Sequence, residues 1–263
     1  MPDSAKSPHG PGADNEPPCA IQFHLLGSLP FDEALLLQRR LAFEASGDAE
    51  GRIVVLLCEH APLITIGRKG SRGHIHWTNE QLRQRQLEVR WVNRGGGCVL
   101  HGPGQLSIYP IVPLRWHGWS VGSYLSRLQQ SVTATLDELG VRWDVFPPST
   151  GVWGRSGLLA ACGIAVRHDV AIHGMFLNVN PSVSSCTFID AVDPTTVVPG
   201  QKSNMGSLLA ERRQAISAAR LRATLIPHLA ASFGTERYHL MTGHPFLAQQ
   251  PRRATHETRF RAS

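Results

Sequence analysis

Arg94-Gly95-Gly96-Gly97-Cys98-Val99-Leu100-His101-Gly102-Pro103-Gly104-Gln105-Leu106 holds five glycines in thirteen residues, with one arginine, one histidine and one glutamine among them. Leu87 to Val92 before it alternates apolar and polar residues and reads as a strand. Leu106 to Ile111 after it reads as another. A glycine-rich turn and a short apolar piece therefore lie between two sheet elements. Glycine has no Cβ, so its backbone can come close to a ligand. A hairpin without a ligand is the plainer interpretation; the arginine and histidine favour a loop that faces one. The stretch is not a nucleotide-phosphate loop, because it lacks both Lys-Ser/Thr and the GxGxxG spacing.

Around this stretch, helical and strand patterns alternate. Ile21 to Leu26 and Arg52 to Cys58 are strand candidates, and Leu63 to Arg68 is a third, closing on glycine. Between the first two, Phe31 to Glu44 has helical apolar spacing, with Asp32 and Glu33 in the first turn where the helix dipole favours acids. Asn79 to Gln86 is a short polar helix. Val121 to Leu139 is a longer helix with Gly140 placed to end it. Val141 to Phe146 reads as a strand stopped by Pro147-Pro148. Gly151 to Trp153 with Leu158 to Val166 reads as a hairpin, and Val170 to Val179 as a strand interrupted at His173-Gly174. Pro181 to Gly200 is loop-like. Leu208 to Phe233 is helical, with a break expected at Pro227.

The chain has 263 residues, 42% of them hydrophobic, enough for one sizeable core. No run of about 18 apolar residues appears, so no membrane span is expected. Residues 1–19 lack the apolar stretch of a signal peptide and read as a disordered lead-in, which implies a cytoplasmic protein. A single domain is expected over 20–233, and a basic, loosely ordered tail over 234–263. The net charge of +6 draws in part on Arg252, Arg253, Arg259 and Arg261. It suits an acidic partner, but no nucleic-acid recognition motif accompanies it, so none is expected as a ligand.

Five scattered cysteines without CxxC spacing point to reduced, buried thiols rather than to disulfides or zinc. Neither Gly-x-Ser-x-Gly nor HExxH is present, so neither a hydrolase elbow nor that metal site is indicated. Among the thirteen histidines, three merit attention. His60, closing a strand before Pro62, favours a structural role. His101, after the glycines, favours the site. His173, in an apolar strand, would alone be read as a core residue.

Taken together the motifs resemble the octanoyltransferases of lipoate biosynthesis, in the biotin/lipoate protein ligase superfamily, from Phe31 to Pro227. Glu59-His60-Ala61-Pro62 with Thr65-Ile66-Gly67-Arg68 is similar to the family's EHxPxxTxGR segment. Arg94-Gly95-Gly96 to Leu106, with Tyr109-Pro110, is similar to its long RGGxxTYHGPGQLxxYP signature. Gly151-Val152-Trp153, Ala161-Cys162-Gly163-Ile164 and His173 to Asn180 follow at the family's spacing.

The resemblance implies a single α+β domain, a mixed β-sheet with flanking helices. It implies transfer of an octanoyl group from acyl carrier protein, through a cysteine thioester, to a lysine of a lipoyl domain in 2-oxoacid dehydrogenase or glycine cleavage proteins. It implies a monomer without cofactor, metal or membrane. The acyl groove it implies runs along Arg94, Gly95, Gly96, Gly97, Cys98, Val99, Leu100 and His101. Ala161, Cys162 and Gly163, and then Gly174, Met175 and Phe176, complete it.

Two positions depart from the family pattern. Its lysine, which lowers the cysteine's pKa, falls on Leu158, and its nucleophilic cysteine falls on Val192. A valine side chain has no lone pair and forms no thioester. Leucine cannot lower the pKa of a thiol from about 8.5. The sequence thus carries two expectations: an octanoyltransferase of doubtful activity, or a non-catalytic relative that binds acyl carrier protein or a lipoyl domain. Cys162, Cys98 and Cys186 are the thiols that could substitute, Cys162 foremost.

Overall fold

The computed structural model describes residues 20–48, 50–181, 187–192 and 197–248. The lead-in expected over 1–19, the end of the tail, Cys19 and Cys186 lie outside these residues.

Among the described residues, ten strands form two sheets. The strands are β1 (Ile21–Ser28), β2 (Val54–Glu59), β3 (Leu63–Ile66), β4 (Glu88–Trp91), β5 (Cys98–His101), β6 (Gln105–Pro113), β7 (Gly151–Gly154), β8 (Gly157–Arg167), β9 (Val170–Asn178) and β10 (Tyr238–Thr242). The helices are α1 (Phe31–Ser46), α2 (Asn79–Gln84), α3 (Val121–Glu138), α4 (Leu208–Arg212), α5 (Ala218–Ser232) and α6 (Pro245–Ala248). The larger sheet runs β10-β1-β2-β6-β9-β8-β7. It is mixed: β1 pairs in parallel with β10 and β2, and the pairings from β2 through β7 are antiparallel. The smaller sheet, β4-β3-β5, stands apart. The expected α+β fold with a mixed sheet and flanking helices is therefore present.

Alternation along the central strands puts an apolar row on each face. Val55, Leu57 and Ile108 pack with Tyr124, Leu128 and Val132 of α3 and with Leu225 and Leu229 of α5. From the opposite face, Leu56, Tyr109 and Ile111 pack with Ala34, Leu37 and Leu41 of α1. A third cluster joins Ile64, Ile66 and Leu100 of the small sheet to Leu158 and Phe176 of the large one. The site lies where these three clusters meet.

Several local expectations change. The glycine stretch does not close a hairpin: β4 and β5 both pair with β3, one on each side, so the glycines cross from one edge of the small sheet to the other. Within the stretch, Cys98–His101 is itself a strand. Val141 to Phe146 makes only an isolated bridge, Asp144 to Trp153.

Strand β9 is continuous through His173-Gly174 because both residues take positive φ, +60° and +152°, while the pairing with Ile164 and Gly163 is kept. The expected helix 208–233 divides at Arg213, which is left-handed at φ +57°, and not at Pro227, which lies inside α5. Ser217 then caps α5 by accepting from Arg220 N–H.

Residues 234–248 are more ordered than a loose tail. Strand β10 extends the large sheet beside β1, and His24 Nδ1 donates to Gly243 O at 2.8 Å.

Candidate functional site

The glycine segment is fixed from two sides. Gly95 N–H donates to Ile164 O of β8 at 3.0 Å, and Gly67 and Lys69 N–H groups donate to Gly97 O and Gly96 O. Gly97 lies so close to the 187–192 segment that a Cβ there would stand 2.5 Å from Ala191 O. That segment is held in turn by Ile75–Ile189 and Asp190–Asn204 bridges and by a His76–Asp190 contact of 2.7 Å. Only glycine permits this approach, and the approach puts Val192 in the site.

Arg94 is half-buried and carries no carboxylate partner among the described residues. Its guanidinium donates to Gly95 O at 2.9 Å, Thr65 O at 3.1 Å and Thr65 Oγ1 at 2.7 Å. Burial lowers its pKa to about 10, so it stays charged at neutral pH. The Thr65 hydroxyl also lies 3.0 Å from His101 Nε2, and His101 is neutral at pH 7. Burial, and then the charges of His60 and Arg94, hold its pKa well below the usual histidine range.

Next to His101, His60 Nδ1 donates to Leu29 O at 2.7 Å, leaving Nε2 to accept from Tyr109 OH at 2.8 Å. This histidine ties β2 to β6 and to the start of α1, the structural role expected of it.

These residues wall a cavity of about 720 Å3, within the range that holds small molecules. Arg94 to Gly97, Val99 and His101 form one side; Leu158, Ala161 to Ile164 and His173 to Phe176 form another; Ala191 and Val192 close it. The sequence had assigned Cys98 and Leu100 to the groove as well. They lie in β5 but do not line this cavity: Cys98 turns its Sγ–H to Ser71 O at 3.3 Å, and Leu100 belongs to the small-sheet core. Sequence reading did not single out Phe31, Lys69, Phe146 or Tyr109 as lining residues; elements distant in the chain deliver them. Among the described lining residues none is Asp or Glu.

His173 lines the cavity, and its backbone N–H donates to Gln38 Oε1 of α1 at 2.8 Å. Burial first, then Arg94, Arg39, Arg167 and Arg68, bring its pKa down to about 4. Cys162 also lines the cavity, but burial alone acts on its thiol, pushing it up to about 12. No basic group there favours the thiolate.

The profile of the lipoyl protein ligase A/B catalytic domain matches residues 30–230. An octanoyltransferase of Roseiflexus sp. is 34% identical over 236 residues, covering 88% of this chain and 95% of the relative. The chain belongs to the octanoyltransferase family. Another member, from Chloroflexus aurantiacus, is 35% identical over 219 residues, 82% of this chain and 95% of that one. The fold is shared with a bipartite lipoate protein ligase of Thermoplasma acidophilum, at 14% identity and TM-score 0.64, covering 86% of this chain and 89% of that one. A lipoate-protein ligase A bound with ATP aligns equally well, at 15% identity and TM-score 0.64, over 86% of this chain and 90% of that one. Val192 and Leu158, the positions on which the sequence reading put the family's cysteine and lysine, both lie in the cavity wall.

Proposed function

We propose that the protein keeps the family's pocket for a medium-chain acyl group and forms no acyl-enzyme in it. The observation that carries this reading is Val192 in the wall, packed against the glycine segment, with no activated thiol among the described residues to replace it. Cys162 is held as a neutral thiol by burial. Cys98 is buried, its thiol also raised, and bonded away from the cavity.

The family supplies the partners of the proposal: acyl carrier protein as the source of octanoyl groups and a lipoyl domain as the protein whose lysine would receive them. The lipoate ligase of Thermoplasma acidophilum was solved in a study of that enzyme and its E2 lipoyl domain, which supports the second partner. The working form proposed is a cytoplasmic monomer.

A second reading has one observation in its favour. His173 is neutral at pH 7 and faces the cavity. In this reading it takes the proton of the attacking lysine amine as the amide bond forms and the C–S bond of the thioester breaks, and returns that proton to the departing thiolate of the carrier. A base with a pKa near 4 is weak for this task, so the binding reading stands first.

The test incubates the full chain with octanoyl-acyl carrier protein and apo lipoyl domain. Intact masses of all three proteins and carrier binding are measured together. Carrier binding with no octanoylated acceptor and no adduct on the protein is expected. Acceptor octanoylation above the protein-free rate, without an adduct, would establish direct transfer instead. An adduct on Cys162 or Cys186 would refute the proposal.

A further inference from the structure

We propose that a second cavity, apart from the acyl site, binds a phosphate ester through Arg142, Arg155 and Arg212. It holds about 340 Å3 between the end of α3, the turn joining β7 to β8 and the last turn of α4, enough for a small molecule. The proposal does not rest on the acyl-chain reading.

Three separate pieces of chain bring guanidinium groups to this one wall, and Glu211 is the only carboxylate among the described lining residues. Glu211 is already engaged. Its Oε1 accepts from Ser156 N–H at 2.6 Å, and Arg155 Nε stands 3.5 Å from its Oε2. Burial would raise its carboxyl, but the hydrogen bonds from Ser156 and Arg155 outweigh burial and hold it below the usual carboxylate range. It is therefore ionised at pH 7 and answers one of the three cations. Arg142 is exposed and has no side-chain partner among the described residues. Arg212 gives Nη1 to Leu139 O and keeps its other donors free among the described residues. Two positive charges are left over, and a phosphate monoester carries about 1.5 to 2 negative charges at neutral pH. The planar fork of a guanidinium matches phosphate oxygens two at a time.

The end of a helix ordinarily repels an anion, because its last carbonyls are unanswered. Here they are answered. Val141 N–H donates to Leu136 O at 2.9 Å, Gly140 N–H to Asp137 O at 3.0 Å, and Arg212 to Leu139 O. Gly140 makes the turn at φ +66°, and nothing stands within 4 Å of where its Cβ would be, so the wall is open at that point.

The two cavities are neighbours along the chain. Arg155 lies three residues before Leu158 of the acyl wall, at most about 10 Å of extended backbone. A phosphate ester reaches this place either as a free small molecule or as the phosphopantetheine arm of an acyl carrier protein; the chemistry recognised is the same.

The experiment is calorimetric titration of the full chain at pH 7.5 and low salt with phosphopantetheine, inorganic phosphate and pantetheine. Both phosphates are expected to bind, and pantetheine to bind at least about tenfold more weakly than phosphopantetheine. R142Q, a change at an exposed side chain, is expected to weaken both phosphates at least about fivefold. R83Q, at an exposed arginine of α2 outside the cavity, is expected to leave them unchanged. E211Q keeps an oxygen for Ser156 N–H and removes the carboxylate charge, so tighter binding is expected. Displacement of bound phosphate by holo-acyl carrier protein would assign the site to the carrier's arm. Phosphate binding that the carrier leaves in place would assign it to a free phosphate ester. No binding of either phosphate would overturn the proposal, as would pantetheine binding as tightly as phosphopantetheine, or R142Q and R83Q behaving alike.

Discussion

At the scale of single residues, the wall can be tested by restoring what it lacks. Val192 sits where the glycine segment meets the 187–192 segment, and Leu158 opens onto the same cavity. If the framework is intact, L158K/V192C should gain the mass of one octanoyl group after incubation with octanoyl-acyl carrier protein. V192C alone should gain it more slowly, since a thiol near its free pKa of about 8.5 is mostly protonated at pH 7. No adduct on either variant would show that more than two side chains separate this cavity from catalysis.

His173 offers a second test, through pH. Its folded pKa of about 4 lies below the unfolded value of about 6.5. The unfolded chain therefore binds the proton first as pH falls. Stability from this group is full above about 6.5 and declines between about 6.5 and 4, by roughly 3 kcal/mol if the full shift applies. Urea melts across that range should show a shallower decline for H173N, and asparagine accepts the left-handed backbone that residue 173 adopts. Identical slopes would mean that His173 does not titrate as its burial requires.

At the scale of elements, two glycines of one stretch should behave differently. An added Cβ at Gly97 would meet Ala191 O at 2.5 Å, whereas at Gly102 nothing lies within 4 Å. We expect G97A to cost about 1–3 kcal/mol by forcing apart two backbone segments, and G102A to change stability by less than about 0.5 kcal/mol. Equal melting temperatures would show that the 187–192 segment is not locked to the loop.

The same stretch shows how far sequence could be read. Its glycines, arginine and histidine fall in one wall of the cavity, and apolar spacing placed α1, α3 and most strands. What spacing could not give was partnership. Strands β4 and β5 are adjacent in sequence yet pair only through β3, and Phe31, Lys69 and Val192 reach the cavity from separate elements. Proline at 227 looked like a helix break, but the turn is made by Arg213 in a conformation that its residue type does not announce. The resemblance located the two departures; only the structure shows that both open on one cavity.

At the scale of the whole molecule, the large sheet begins and ends with strands that sequence treated unequally. Strand β10 is only partly buried, and its polar alternation, His239 exposed and Tyr238 half-buried, resembles a tail in a one-dimensional reading. In space it covers the edge of β1. Tyr238 meets Phe23 edge-on at 5.7 Å, and His24 stacks obliquely on His244 at 4.6 Å while bonding to Gly243 O. Removing the chain from Arg237 onward would uncover the parallel edge of β1, whose inward residues Ile21 and Phe23 are fully buried. An uncovered strand edge invites pairing between copies. The truncated protein should therefore melt several degrees lower and form oligomers on size exclusion. Binding of octanoyl-acyl carrier protein should persist in its monomeric fraction, because no described residue beyond Gln201 lines the cavity. A truncated protein as stable and as monodisperse as the full chain would return residues 234–248 to the role of a tail and confine the structural unit to the part that sequence had drawn.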